Sequence, residues 1–256
     1  MNKILNIISA AIIALAAIAC DEISEDERFN MAEGINPERK VLVQEFTGQF
    51  CPNCPLGHEA LDNIKKQYGD NAIIVSIHAG DMAFENEQFG LKTPDGDTYA
   101  NEWGIQQYPS AVVNHRSVLT DRSQWQGAVF MAGLTAPKVK LTLNAKLNNG
   151  KLDIQSSISA EEGFNNIHYQ FMIVEDNVVA LQQDGEQYIT DYVHNHVYRA
   201  SPGGIGNNGI ASQKDIDVDI KGYDLDPRWN PDNLKVILYA YDDKEVLQAE
   251  EVKVTK

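Results

Sequence analysis

Apolar and polar positions change their spacing near the middle of the chain. In the first half, the apolar runs Val41–Phe46, Ala72–His78 and Ser110–Val113 are nearly continuous, whereas Pro52–Tyr68 places apolar residues at helical spacing. Buried strands that alternate with helices predict a partly parallel sheet covered on both faces. The long polar stretch 79–101 predicts a loop with a helix near its end.

After Leu134–Pro137 the apolar positions recur with a period of two. Lys138–Asn144 and Leu152–Gln155 alternate on either side of Asn148-Asn149-Gly150, which predicts a hairpin. About seven or eight strands of this kind favour a β-sandwich. The other predicted strands are His168–Val174, Val178–Gln182, Val193–Tyr198, Ile216–Ile220, Leu234–Tyr241 and Val246–Val254.

The first residues predict export. Residues 1–19 form a charged start followed by an apolar run that ends in small residues, which is typical of a secretory signal. Ala17-Ile18-Ala19-Cys20 resembles a bacterial lipobox, so Cys20 is expected to carry lipid and to become the first mature residue. The alternatives are an ordinary secreted protein cut near the same place and an uncleaved anchor.

Residues 20–37 are predicted to be a tether. Their acidic stretch Asp21–Arg28 has little to bury, and it resembles the tract that sends many Bacteroidota lipoproteins to the cell surface. The change of period then predicts two domains, 38–135 and 136–256. A formal net charge of −16 makes nucleic acid and anionic lipid poor partners. No cofactor is expected.

Cys51 and Cys54 open the predicted helix after the first strand. They form the pair that remains once Cys20 is assigned to lipid, and their spacing lets the two sulfurs meet. Cys51 lies at or just before the first turn, where unpaired N–H groups and the helix dipole favour a thiolate. We therefore expect Cys51 to attack a substrate and Cys54 to resolve the mixed disulfide.

Three separated features of the first half resemble the thioredoxin superfamily: the CxxC pair, the stretch Trp103–Ser110, and Glu45 six residues before Cys51. The resemblance implies that Pro109 forms a cis bond beside the cysteines and that Tyr108 shapes the pocket. It also implies that Glu45 is a buried acid, and that Glu45 or an associated water takes the proton from Cys54. A solvated Glu45 at a sheet edge is the alternative.

The sequence departs from thioredoxins around the cysteines. Phe50 stands where Trp is usual, Pro52-Asn53 replaces Gly-Pro, and a long insertion follows His78. Together with Tyr108, we expect Phe50, Pro52 and Asn53 to contact the substrate. These departures leave substrate choice and redox direction open.

The signal, the acidic tether, the cysteine segment and the C-terminal hairpin together resemble the Omp28-related outer-membrane lipoproteins of Bacteroidota. This resemblance implies an α/β thioredoxin-like domain followed by an all-β immunoglobulin-like sandwich. It also implies attachment to the outer membrane through lipid on Cys20, facing the periplasm or the cell surface.

Four histidines are weaker candidates. His58 is expected to be an exposed helix residue, and His78 either tunes the thiolate or is a hydrogen-bonded edge residue. His194 and His196 are expected to be solvated and to share one strand face, and a weak metal site is the alternative. A metal site is not expected, because two cysteines and one histidine leave a structural zinc one ligand short.

Two principal hypotheses follow for the function. The first is a membrane-anchored thiol–disulfide oxidoreductase that acts on protein thiols or disulfides. The second is a surface binding or assembly lipoprotein in which the Cys51–Cys54 bridge is a static clip. A metal site at the cysteines is a third and weaker alternative.

Overall fold

The computed structural model describes residues 34–85, 89–160, 167–206, 209–210 and 215–256. The signal segment, the predicted lipid acceptor Cys20 and the acidic stretch lie outside the described residues. Within the described part of the chain, no helix combines the length and the apolar character needed to cross a bilayer.

Three α-helices and fifteen strands make up the described residues. The helices are α1 (Cys54–Tyr68), α2 (Pro94–Glu102) and α3 (Trp125–Gly133), and short 3-10 turns span Gly69–Asn71, Gly80–Met82, Arg122–Gln124 and Pro231–Asn233. The strands are β1 (Val41–Thr47), β2 (Ala72–His78), β3 (Ser110–Val113), β4 (Val118–Leu119), β5 (Lys140–Asn148), β6 (Lys151–Ser159), β7 (Ile167–Glu175), β8 (Val178–Asp184), β9 (Gln187–His194), β10 (Val197–Ala200), β11 (Gly209–Ile210), β12 (Asp215–Asp217), β13 (Ile220–Asp224), β14 (Leu234–Tyr241) and β15 (Val246–Lys253).

The largest sheet contains strands from both halves of the chain. Its order is β15-β14-β7-β10-β2-β1-β3-β4, and β11 pairs with β7 at its side. β2 runs parallel to both β1 and β10, whereas the other neighbours are antiparallel. The predicted partly parallel sheet is therefore present and is wider than expected.

A smaller sheet of β5, β6, β12 and β13 packs against one face of β7, β14 and β15. The alternating apolar residues of these strands form the core between the two sheets, including Leu141, Leu152, Ile154, Phe171, Val236 and Leu238. The two sheets therefore share one apolar core. One of those sheets continues into the strands of the first half.

The expected boundary at 135/136 does not separate two sheets, because β10 pairs with β2 through Val197 and Ser76. The fold class is mixed α/β with mostly strands in several sheets, as the sequence predicts at that level.

The two faces of β1 have different roles. Leu42 and Phe46 pack into an apolar core with residues of α2 on one face. Glu45 and Thr47 point to the opposite face, because side chains alternate along a strand. On that face α1 lies over Glu45, so the helix that follows the cysteines covers a buried carboxyl group.

Three details of the sequence prediction are wrong. The predicted strand Ile216–Ile220 is two strands, β12 and β13, separated by residues 218–219. α1 begins at Cys54 and not at Pro52, so Cys51 precedes the helix. The predicted strand Val193–Tyr198 is two strands, β9 and β10, separated where His196 adopts a left-handed φ of 57°. The sequence interpretation also missed β4 and α3.

Candidate functional site

Cys51 and Cys54 form a disulfide at the start of α1, with their Cα atoms 5.4 Å apart. The turn that carries them is held by two backbone hydrogen bonds, from Cys51 N to Gly48 O at 3.1 Å and from Cys54 N to Cys51 O at 3.2 Å. Cys51 is only 2% exposed and Cys54 is fully buried. Cys51 thus precedes α1, Cys54 is its first residue, and both cysteines are buried.

Glu45 is fully buried beneath α1. Its Oε2 accepts a hydrogen bond from Ser76 Oγ at 2.9 Å, and Oε1 lacks a hydrogen-bond partner among the described atoms. Burial raises the pKa of Glu45 to about 8, the bond from Ser76 opposes this rise, and Asp62 adds to it. The alternative of a solvated Glu45 is therefore wrong.

Gly57 lets α1 approach this carboxyl group closely. A Cβ atom at Gly57 would lie 2.7 Å from Glu45 Oε1 and 3.0 Å from Cβ of Pro109. The Tyr108–Pro109 peptide bond is cis. Glu45 and Pro109 therefore meet on the same turn of α1, three residues after Cys54.

The other residues predicted to contact the substrate lie around the cysteine turn. Phe50 is half-buried and packs edge-on against Phe84, with ring centroids 5.1 Å apart. Pro52 is half-buried and Asn53 is exposed. Tyr108 is half-buried, with its hydroxyl close to Gly80, and burial raises its pKa.

The β8–β9 hairpin lies over the cysteine turn. Gln182 Nε2 donates to Gly48 O at 3.2 Å and to Cys51 O at 3.1 Å. The backbone N–H of Gln183 donates to Gln49 O at 2.8 Å, and that of Gly185 donates to Pro52 O at 2.9 Å. Sequence analysis missed this contact, since more than 100 residues separate the partners and no local pattern marks it.

His58 connects Glu45 to this hairpin. Its Nε2 lies 3.1 Å from Thr47 Oγ1 and 3.8 Å from Glu45 Oε2, and its Nδ1 lies 2.8 Å from the hydroxyl of Tyr192. Burial, together with the charge of nearby His194, lowers the pKa of His58 to about 3. The expectation that His58 is an exposed helix residue is wrong, because the β8–β9 hairpin covers this part of α1.

His78 and His194 complete a cluster of three histidines. The ring of His194 lies 5.3 Å from that of His78 and 6.1 Å from that of His58. A cavity of about 50 Å³ lies between them, also lined by Ser76 and Tyr192. Burial lowers the pKa of His78 and brings that of His194 to about 4, so both rings are neutral near pH 7.

The expectation for His194 and His196 is wrong. His194 is only 3% exposed, and His196 lies in the turn after β9, where its side chain is 15% exposed. A residue in a left-handed turn does not continue the alternation of a strand, so the two rings do not share a solvated face. In the described segments, no group of three or more His, Cys, Asp and Glu side chains stands ready to hold a metal ion.

Solved structures resemble this fold at low sequence identity. HBP35 of Porphyromonas gingivalis gives a TM-score of 0.67 at 12% identity, over 85% of this chain and 76% of that chain. Protein AGR_C_4864 from Agrobacterium tumefaciens gives a TM-score of 0.54 at 15% identity, over 84% of this chain and 94% of that chain. Identities this low show a shared fold alone.

A domain of the outer membrane lipoprotein Omp28 from Porphyromonas gingivalis matches at 19% identity, over 47% of this chain and 91% of that chain. Its TM-score of 0.33 does not establish a shared fold. Among curated proteins, none matches the chain significantly.

The family model described as outer membrane protein Omp28 matches residues 96–256, which is more than half of the chain. The matched part contains Pro109 and the β8–β9 hairpin, and it begins beyond the cysteine turn. The match confirms the predicted outer-membrane location. The chain belongs to the Omp28 family of outer membrane proteins.

Proposed function

We propose that this chain is a thiol–disulfide oxidoreductase held at the outer membrane, with Cys51 attacking a protein substrate and Cys54 resolving the mixed disulfide. One observation carries the proposal. A fully buried carboxyl group, Glu45, lies under the first turns of the helix that begins at Cys54. A static disulfide clip needs no ionisable group in the apolar layer beneath it, whereas a resolving thiol needs a base.

The strand arrangement supports a thioredoxin-like site. β1 leads into the cysteine turn, lies parallel to β2, and pairs with β3 in antiparallel fashion. Pro109 immediately precedes β3, beside the end of β1, and α1 follows the cysteines. For the second half, the packing of β5 and β6 on β7 and β14 fits an immunoglobulin-like sandwich.

The chemistry follows from these positions, written for reduction of a substrate. The Cys51 thiolate attacks a substrate disulfide, one substrate sulfur leaves as a thiolate, and a mixed disulfide forms. Cys54 then gives its proton to the Glu45 carboxylate and attacks the Cys51 sulfur, which releases the second substrate thiolate. The resulting Cys51–Cys54 disulfide is reduced again by a dithiol donor. Oxidation of a substrate runs through the same steps in reverse.

The burial of Cys51 favours a second candidate function. With only 2% of this residue exposed, and with Gln182 bonded to its carbonyl group, the disulfide has the environment of a structural clip. In that alternative the chain is a binding or assembly lipoprotein, and its sheets recognise a partner. The oxidoreductase proposal requires the tip of the β8–β9 hairpin, which carries Gln182 and Gly185, to move aside during each turnover.

Attachment through lipid on Cys20 is part of the proposal. The family places the protein at the outer membrane, and an acyl chain on Cys20 would anchor it there. A tether of residues 20–37 would let the cysteine turn reach protein thiols on the periplasmic or outer side of that membrane.

Trapping of an intermediate tests the oxidoreductase proposal. In the reduced full-length chain, Cys54→Ser should accumulate a mixed disulfide with insulin, visible as a larger species on a non-reducing gel and removed by dithiothreitol. Cys51→Ser is the matched control and should trap far less, because it lacks the attacking thiol. Equal absence of trapping in both variants would favour the structural clip.

A further inference from the structure

Glu45 needs a route for its proton. In the proposed resolving step this carboxylate receives a proton from Cys54, yet the residue is fully enclosed by protein. A buried acid that cannot exchange with solvent would be ready for one step and would then wait for local opening of the fold. The surroundings of Glu45 therefore have to contain a path for protons.

One polar chain leads away from this carboxyl group. Glu45 Oε2 lies 3.8 Å from His58 Nε2, and His58 Nδ1 lies 2.8 Å from the hydroxyl of Tyr192. Tyr192 is half-buried, whereas Glu45 is fully buried, so the chain runs from the interior toward the surface. The gap between His58 and Tyr192 is a hydrogen bond, whereas the 3.8 Å gap between Glu45 and His58 is longer than one. Nε2 of His58 also has Thr47 Oγ1 at 3.1 Å, so a proton crosses from Glu45 only when the two side chains approach or a water lies between them.

We propose that His58 and Tyr192 are the proton route between Glu45 and solvent, an inference that rests on the oxidoreductase function proposed above. Both residues act through Glu45 and do not touch the reacting sulfurs, so they are positioning residues. Neither a CxxC motif nor the buried acid itself implies this route. It follows from the meeting of α1 with β9.

The route balances over a redox cycle. When Cys54 resolves the mixed disulfide, protonated Glu45 passes its proton to His58 Nε2 while His58 Nδ1–H passes one to the Tyr192 oxygen. Tyr192 releases its own hydroxyl proton to water, so one proton reaches solvent and the imidazole ends as its other neutral tautomer. When the disulfide is next reduced, Cys54 takes up a proton along the same route, and the first tautomer returns.

The groups around His58 favour a relay in which the imidazole stays neutral. Asp62 approaches from α1, His78 from β2 and His194 from β9, and all three line the same small cavity as His58. Burial lowers the pKa of His58 and of His194, which keeps both rings uncharged near pH 7. A neutral ring holds one donor and one acceptor nitrogen, as a concerted transfer requires.

The β8–β9 hairpin links this route to the cover over the cysteines. Tyr192 and Gln182 belong to the same two-stranded sheet, and Gln182 bonds to the carbonyl of Cys51. When the hairpin is docked, the cysteines are covered and Glu45 is connected to Tyr192. Gln182 lies nearer the tip of the hairpin than Tyr192 does, so the tip can uncover the cysteines while Tyr192 stays bonded to His58.

A two-phase reaction separates the relay from the chemistry. The reduced full-length chain, with Cys20→Ser in every protein so that only Cys51 and Cys54 react, is mixed with dithiobis(nitrobenzoate), an aromatic disulfide whose released thiolate is yellow. The first phase reports attack by Cys51 and the second reports resolution by Cys54. Tyr192→Phe removes one hydroxyl, His58→Gln removes the relaying ring, and Tyr188→Phe is the control, because Tyr188 lies on the same hairpin with 57% of its surface exposed.

We expect no variant to slow the first phase, because loss of the bond between Tyr192 and His58 loosens the hairpin and exposes Cys51 further. In Tyr192→Phe and His58→Gln the second phase should slow about tenfold or more for molecules in which Glu45 starts protonated. The second phase should then separate into a slow part and a fast part. The fast part comes from molecules in which Glu45 starts deprotonated, so its share should grow as the pH is raised. A purely structural defect would slow both phases and would not produce a pH-dependent split.

The outcomes distinguish the two proposals. The relay is wrong if the wild-type chain shows a first phase and every variant then shows a single second phase at the wild-type rate. The oxidoreductase function is not contradicted by that result. Absence of any first phase in the wild-type chain contradicts the oxidoreductase function, and the relay with it. A split that also appears in Tyr188→Phe overturns the relay, since that residue does not contact His58.

Discussion

The side-chain amide of Gln182 donates a hydrogen bond to the main-chain carbonyl of Cys51 at 3.1 Å, across 131 positions of sequence. Through this and the neighbouring hydrogen bonds, the β8–β9 hairpin from the second half of the chain determines the solvent exposure of the cysteines. The buried amide also donates to Gly48 O, so its removal loosens the hairpin at two points.

Removal of this amide should expose the cysteine. In the reduced protein, Gln182→Ala should raise the rate of Cys51 alkylation by iodoacetamide about tenfold, because loss of buried hydrogen bonds costs about 1–3 kcal/mol. Mass spectrometry of quenched samples measures this rate. Gln187→Ala, an exposed position on β9, should leave the rate unchanged. Equal rates in all three proteins would show that the hairpin does not control access.

Gly57 should not tolerate a methyl group. Gly57→Ala places a Cβ atom 2.7 Å from Glu45 Oε1 and 3.0 Å from Pro109, and should lower the free energy of unfolding by about 1–3 kcal/mol. Gly127→Ala is the matched control, because nothing lies within 4 Å of its new methyl group. In α3 that change should raise stability by up to about 1 kcal/mol. Urea unfolding measures both, and equal effects would contradict the close approach of α1 to Glu45.

Local patterns predicted the elements around the site well. The apolar runs place β2 at Ala72–His78 and β3 at Ser110–Val113, as the structure has them. The cysteine spacing placed the disulfide, because neighbouring residues alone determine whether two sulfurs at that spacing can meet.

Long-range pairing could not be predicted in the same way. β10 joins β2 through Val197 and Ser76, and no alternation of residues identifies the partner of a strand. The burial of His58 and His194 follows from this pairing, since it brings β9 against α1. His194 and His196 were a signal in the sequence. Strand periodicity, however, predicts only which residues share a face of the strand, and it does not predict which face becomes buried.

Glu45 should make stability fall as the pH rises from the ordinary pKa of a glutamate to about pH 8. Its pKa is raised to about 8 by burial, so between its ordinary value and pH 8 the folded state keeps a proton that the unfolded state has lost. Stability should therefore fall as the pH rises through this window, by up to about 1.4 kcal/mol per pH unit. Glu45→Gln should flatten the curve between about pH 7 and 8. Urea midpoints of the oxidised protein measure it, and an unchanged slope in the variant would contradict the assignment.

The buried histidines should act in the opposite direction on the acid side. Burial lowers the pKa of His58 to about 3 and that of His194 to about 4, so the unfolded chain binds protons first as the pH falls below about 6.5. Stability should thus fall from about pH 6.5 to pH 4. In the same urea measurements, His194→Gln should reduce the slope of the unfolding free energy against pH by the amount that corresponds to about one proton. A slope as steep as that of the wild type would show that His194 is protonated in the folded state.

The most direct test of the proposed function is the reduction potential of the Cys51–Cys54 pair in the full-length chain. Equilibration with thiol–disulfide buffers of known potential, followed by trapping of free thiols, gives this value. An exchanging pair should have a potential above about −300 mV, in the range of known oxidoreductases. A pair that stays oxidised well below about −300 mV would identify a structural disulfide and contradict the proposal.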